Sequence, residues 1–145
     1  MIYAHKQARD GFTLMELLIA IAILGIISVV VIPNFLGYLE SAKKSQVTQT
    51  LKTFASAIDL YNVQVGHYPT KLKDLVKAPA DEKDRKKWQE GGYLGKVKDD
   101  TFEDPWGNNY HYAANQPGSS HAYELHSFGP NGKSSSKNEW ISVWD

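Results

Sequence analysis

From Phe12 to Ile32 the chain reads FTLMELLIAIAILGIISVVVI, apolar but for a few small polar residues and one carboxylate, Glu16. A helix of about 21 residues, rising roughly 1.5 Å per residue, reaches about 30 Å, the hydrocarbon thickness of a bilayer. The run can therefore span a membrane. A cleaved secretory signal would carry a shorter apolar region and a small-residue cleavage site, whereas this run continues into Pro33 without an A-x-A-like pattern. A buried helix of a soluble domain rarely needs so long an apolar stretch. Glu16 is then the exception that needs a cause. A carboxylate deep in a bilayer costs about 2.5–3.5 kcal/mol on insertion scales, so it marks a partner unless it sits hydrated at the interface. Lys6 and Arg9 precede the run and Lys43, Lys44 and Lys52 follow it, so charge bias alone does not choose a topology.

The rest of the chain is polar, rich in Lys, Asp, Asn, Gly, Ser and Tyr, which gives an anchor followed by a soluble body. Its 145 residues suit one modest domain plus an appendage, with no internal repeat. Sixteen basic residues balance sixteen acidic ones, so net charge gives no reason to expect nucleic acid or an acidic partner. There are no cysteines, which excludes disulfides and thiolate metal sites. The fold must stand on packing, alone or with an oxygen-liganded ion.

A cut between Gly11 and Phe12 would account for Glu16. It would create an α-amino group four positions before the carboxylate, about 6 Å of helical rise away, so that both charges lie at nearly one membrane depth. Each could neutralise the other, within one chain or between neighbours.

The residues Gly11-Phe12-Thr13-Leu14-Met15-Glu16, the apolar helix behind them and Pro33 resemble the class III signal of type IV pilins and pseudopilins. The resemblance implies a leader peptide, 1–11, removed by a prepilin peptidase that also methylates the new terminal residue, Phe12. It implies that Glu16 neutralises a neighbouring subunit's amine during filament assembly. Met15 replaces a commoner branched residue, and Asp10 stands where a basic one is frequent. The membrane and assembly helix would cover 12–33, and the periplasmic domain 34–145.

Beyond Pro33, Val47, Leu51, Phe54, Ala55, Ile58 and Val65 recur at helical spacing, which predicts an amphipathic helix continuing to about Val65. Pro33 removes a backbone hydrogen bond and predicts a bend or local loosening, with Gly37 a second weak place. Gly66 suits a C-cap, and Thr70 can cap a short second helix with Leu72, Leu75 and Val76 inward. Ala78 to Lys87, mixed in charge and holding Pro79, reads as a solvated loop. Strands are expected at Tyr110 to Ala113, Ala122 to Ser127 and Trp140 to Trp144, with the loop Asn115 to Ser120 between the first two. The expected fold is α+β, type IV pilin-like: a long helix laid across a small antiparallel sheet.

The soluble half is similar to the major pseudopilin family of type II secretion systems. Tyr68-Pro69-Thr70, Gly92-Tyr93-Leu94, Asp104-Pro105-Trp106-Gly107-Asn108-Asn109-Tyr110 and Leu125 to Lys133 carry that resemblance. In the DPWGNNY segment Asp104 and Asn108 can bond the turn's backbone, Pro105 and Gly107 set its dihedrals, and Trp106 can cover the core. The resemblance implies a homopolymeric periplasmic filament on the bacterial inner membrane that helps push proteins through the outer membrane. Minor pseudopilins, the peptidase, an inner-membrane platform protein and a secretion ATPase would be its partners. A type IV or competence pilin would share the first 40 or so residues but not DPWGNNY; a monomeric, membrane-anchored binding module is the reading from another class.

The same resemblance implies calcium in the final loop, held by acidic side chains and carbonyls, six to eight oxygens being typical. The candidates are Leu125, Asn131, Asn138, Glu139 and Asp145, but Lys133 and Lys137 stand among them. Fewer anionic ligands mean weaker binding, and the alternative is a loop held by its own hydrogen bonds and by Trp140 and Trp144. Catalysis finds no support: His111, His121 and His126 form no HExxH helix, His121 and His126 would face opposite sides of a strand, and neither a phosphate loop nor a nucleophile elbow is present.

Overall fold

The computed structural model describes residues 11–95, 102–115 and 117–145, without the side chains of 30, 33 and 34. The leader up to residue 10, with Lys6, Arg9 and Asp10, lies outside the described residues, as does Gln116 of the β-loop. The elements in order are α1 (Leu14–Val65), a 3-10 turn (Leu72–Leu75), α2 (Glu82–Lys87), β1 (His111–Ala114), β2 (Tyr123–Ser127), 3-10 turns at Gly132–Ser134 and Lys137–Glu139, and β3 (Ile141–Ser142). Two compact units divide between Glu40 and Ser41.

In the first unit α1 exposes its apolar side chains, Leu14, Ile26 and Val29 among the most exposed. Among the described residues no helix is long and apolar enough to cross a membrane. Of the expected 12–33 span, Phe12 and Thr13 precede the helix, and the side chains of 30 and 33 lie outside the described residues. The helix assignment itself is continuous from Leu14 to Val65, so the loosening expected at Pro33 does not interrupt it.

In the second unit α1 turns Val47, Leu51, Phe54, Ile58, Tyr61 and Val65 inward. They follow one another at three or four residues, one stripe of the helix, and each fully buried aliphatic side chain is worth about 1.5–3 kcal/mol. Ala57 completes the stripe, where Ala55 was expected; Ala55 is only half-buried. Leu72, Leu75, Leu94, Tyr110, Tyr123 and Leu125 close the core from the other side.

The sheet is antiparallel in the order β1-β2-β3. His111 pairs with His126, Tyr112 with Leu125, Ala113 with Glu124 and Ala114 with Tyr123; His126 and Ser127 then pair with Ser142 and Ile141. Because successive side chains alternate in direction, Tyr123, Leu125 and Ser127 share the core face while Glu124 and His126 share the outer one. β3 is shorter than expected. The N–H of Ser142 donates to the Asp145 carboxylate and that of Trp144 to the Ser142 hydroxyl, which turns the chain out of the ladder.

Two local expectations are corrected. Thr70 does not cap the 3-10 turn through its own oxygen; it is a donor. The buried Asp74 carboxylate accepts from the N–H and hydroxyl of Thr70 and from the N–H of Lys71. Ala78 to Lys87 is not a plain loop, because Glu82–Lys87 form α2. The Asp81 carboxylate accepts from the N–H groups of Lys83 and Asp84, and Arg85, Lys86 and Lys87 occupy the last turn, where cations suit the helix dipole.

This short helix fastens the end of α1. Gly66 caps α1 through its N–H to the Asn62 carbonyl, and the Lys87 ammonium donates to the Val65 carbonyl at 3.0 Å. His67 lies between, Nδ1 at 2.9 Å from the Tyr68 carbonyl and Nε2 at 3.0 Å from an Asp84 oxygen. The Tyr68 carbonyl, and then Asp84, raise the His67 pKa above its ordinary value by favouring the doubly protonated ring. A raised folded pKa contributes stability that is complete below the unfolded value of about 6.5 and is lost as pH rises through the folded value. The ring is half-exposed, so the effect is small. The melting midpoint, relative to that of His67→Gln, is expected to fall with rising pH above about 6.5; a constant difference across that range would contradict the linkage.

Candidate functional sites: the helix start and the terminal loop

At the amino end, α1 opens with a reciprocal cap. The Glu16 carboxylate accepts from the Thr13 N–H at 2.8 Å and from its hydroxyl at 3.0 Å, while the Glu16 N–H donates to the Thr13 hydroxyl oxygen at 3.2 Å. This is a capping box, and it fixes the start of α1 just after Thr13. Its signal, Thr-x-x-Glu, stands in the sequence at Thr13 and Glu16. Phe12 is 87% exposed. A Cβ built on Gly11 would meet no described atom within 4 Å.

In the body, the DPWGNNY turn is a fastener. Asp104 is 5% exposed. One of its oxygens accepts from the N–H groups of Trp106 (3.0 Å) and Asn108 (2.9 Å), and the other from the Ser127 hydroxyl at 2.6 Å. Ser127 in turn accepts from the Gly129 N–H, and the Asn108 amide donates to the Gly129 carbonyl. Gly107 takes φ +85° inside the turn, and Trp106 packs against the core as expected. Gly132 is required by contact: at φ +61°, its Cβ would stand 2.8 Å from the Asn108 side-chain oxygen. The turn thus holds the loop after β2 from below.

Above the outer sheet face, aromatic rings close the same loop. His126 stacks on Trp140 with centroids 4.3 Å apart and planes 7° from parallel, and it lies 4.6 Å from His111 across the strand pair. Phe128 meets His126 and Trp140 edge-on. Burial, and then the neighbouring His111, lower the His126 pKa. His121 stacks instead on Trp144, whose indole N–H donates to the Tyr123 carbonyl. His111 and His126 therefore meet, but His121 is elsewhere, and among the described residues no group of three His, Cys, Asp or Glu is placed to hold a metal.

The five calcium candidates do not share one site. A groove of about 490 Å³ is lined by Leu125, Asn138 and Asp145 with Glu124, His126, Lys137 and Trp140; Asn131 and Glu139 are not among its walls. The Leu125 carbonyl accepts from the Val143 N–H. Glu139 accepts from Asn131 and from the Ser136 N–H, and Asp145 from the Ser142 N–H. A cation site would leave oxygens facing a common point. The buried side-chain atoms of this loop that lack a hydrogen-bond partner are nitrogens, Nε2 of His126 and Nε1 of Trp140. The donor set does not fit calcium.

The long helix packed through its second half on a small antiparallel sheet, with the apolar N-terminal stretch and the capped glutamate, defines a pilin-like α+β protein. A family model described as type II secretion system (T2SS), protein G matches residues 34–144, and a prokaryotic N-terminal methylation motif matches residues 6–32. The chain belongs to the protein G family of type II secretion systems. It is 35% identical over 141 residues to the type II secretion system core protein G of Klebsiella pneumoniae, covering 95% of this chain and 96% of that one. The corresponding core protein of Pseudomonas aeruginosa is 34% identical, with 97% and 99% covered. The crystal structure of the major pseudopilin from the type 2 secretion system of enterohaemorrhagic Escherichia coli matches with a TM-score of 0.59 at 27% identity, over 79% of this chain and 97% of that one. The family is one of structural pseudopilin subunits, not enzymes.

Proposed function

We propose that this chain is cut between Gly11 and Phe12 by prepilin peptidase, methylated on Phe12, and polymerised from the bacterial inner membrane into a periplasmic pseudopilus. The observation that carries this reading is the Gly11-Phe12 junction, which lies within the stretch 6–32 matched by the prokaryotic N-terminal methylation motif. A peptidase that tolerates no side chain beside the cut accounts for a glycine at position 11. The exposed Phe12 and the methylation motif over 6–32 support the same reading.

The apolar run 12–33 then serves as the single-pass anchor, with 34–145 in the periplasm. Glu16, held at the start of α1, neutralises the terminal amine of a neighbouring subunit, and Pro33 provides the place where the helix loosens on assembly. Minor pseudopilins, an inner-membrane platform protein and the secretion ATPase act with the homopolymer in driving proteins across the outer membrane.

Intact-mass measurement on assembled protein is expected to show a chain beginning at a methylated Phe12, and Gly11→Val is expected to leave residues 1–11 attached. Functional filaments that retain the leader would refute the processing step. A chain that is processed but stays monomeric would favour a membrane-anchored binding module instead.

A further inference from the structure

We infer that the terminal loop of this chain is a metal-free clasp, closed above the sheet by the His126–Trp140–Phe128 rings and tied beneath it by Asp104 and Asn108, where the family resemblance implies calcium. Three observations converge on this. The oxygens a cation would need are spread, and one oxygen of each acid is turned to the loop's own donors: Glu139 Oε2 to Asn131 and Ser136, Asp145 Oδ2 to Ser142, with the Leu125 carbonyl accepting from Val143. The work of joining the loop to the sheet is done by other bonds. Asp104 reaches Ser127 at 2.6 Å, Asn108 reaches the Gly129 carbonyl at 3.0 Å, and the Ser135 hydroxyl reaches the Phe128 carbonyl at 2.7 Å. Finally, the groove carries a cation of the chain's own beside its two carboxylates, Glu124 and Asp145: the Lys137 ammonium stands 5.9 Å from the Trp140 ring centre. A divalent ion entering there would meet that charge and aromatic faces, and among the described residues no three acidic or histidine side chains are placed together to supply the hard oxygen ligands Ca²⁺ requires.

The clasp is a property of the folded domain and exists whether or not the leader is removed. It makes the loop indifferent to calcium and dependent on Trp140. Parallel stacking over His126 buries one indole face, and the edge of Phe128 closes the side, so deletion of Trp140 uncovers a histidine that is only 7% exposed.

The test uses the full chain in detergent micelles. Thermal unfolding followed by near-ultraviolet circular dichroism is measured with chelator and with millimolar calcium, and terbium is added separately as a luminescent calcium substitute that nearby tryptophan excites. The expected result is coincident midpoints, and no terbium luminescence above that of the double variant Glu139→Gln/Asp145→Asn. A bound ion at 100 times its Kd would raise the midpoint by roughly 10 °C. Such a rise, or terbium luminescence that calcium displaces and the double variant lacks, would overturn the clasp. Trp140→Ala is expected to lower the midpoint equally in chelator and in calcium, while Trp140→Phe, which keeps a ring over His126, recovers part of the loss. A Trp140→Ala midpoint equal to the wild type, or one restored by calcium, would equally refute it. The wild-type comparison stands by itself if Trp140→Ala fails to fold.

Discussion

Asp104→Ala is expected to destabilise the folded domain by about 2–3 kcal/mol, the loss that follows when the shared acceptor of three hydrogen bonds is removed. The carboxylate accepts from three donors, two backbone N–H groups and the Ser127 hydroxyl, and is almost wholly enclosed. Without it, the buried Ser127 hydroxyl and the part-buried N–H groups of Trp106 and Asn108 lose their acceptor. The damage also spreads along the chain. Ser127 loses its orientation toward the Gly129 N–H, and the turn that aims Asn108 at the Gly129 carbonyl loses its brace. Asp104→Asn keeps the shape but can donate where only acceptance is wanted, so it is expected to fall between wild type and alanine. Chemical denaturation of the three proteins checks the order; an alanine variant within about 1 kcal/mol of wild type would show that the network is not what holds the loop.

Glu16→Ala is expected to reduce filament yield by roughly 100-fold while leaving the chain inserted and its body folded. The prediction rests on the proposed assembly role. If the Glu16 carboxylate meets a neighbour's terminal amine within the membrane, its loss leaves that amine uncompensated, at about 2.5–3.5 kcal/mol per subunit added, or close to two decades in the association constant. Glu16 has a second role, however, as half of the capping box with Thr13. Thr13→Ala separates the two, because it removes the reciprocal cap and keeps the carboxylate. A cap is worth about 1 kcal/mol locally, little against a helix of 52 residues. Thr13→Ala should therefore assemble within a few-fold of wild type. If it fails as badly as Glu16→Ala, the glutamate acts through the helix start and not through charge; if Glu16→Ala assembles normally, the assembly role is lost altogether.

Much of this protein was legible before folding because the signals are local or periodic. An apolar run of membrane-spanning length, a stripe from Val47 to Val65 at helical spacing and the turn chemistry of DPWGNNY each follow from rules that act within a few residues. They account for the long helix and the small antiparallel sheet, while the protein G family rests on resemblance and on the matching family model. The capping box is equally local, Thr13 and Glu16 standing three residues apart, and the charge of Glu16 masks it by pointing first to a membrane partner. The same holds for α2: Asp81 as a cap with basic residues in the last turn is a helix signature, yet a run of mixed charge reads first as solvated surface.

What the sequence by itself determined is which segments are helix, strand and turn, and that Asp104 belongs to a turn, since these follow from side-chain period and backbone preference over short stretches. Only the tertiary structure decided where the far ends of those segments meet. It made the turn acid a brace for Ser127 twenty-three residues on, set Lys87 on the carbonyl of Val65, and put His126 between His111 and Trp140. The fate of the terminal loop belongs to this second kind. Counting acids in the sequence could suggest a weak calcium site, but whether oxygens converge on a point depends on strand register and on the rings that register brings over the loop. Those are set by long-range packing, which residue type and spacing along the chain do not encode one position at a time.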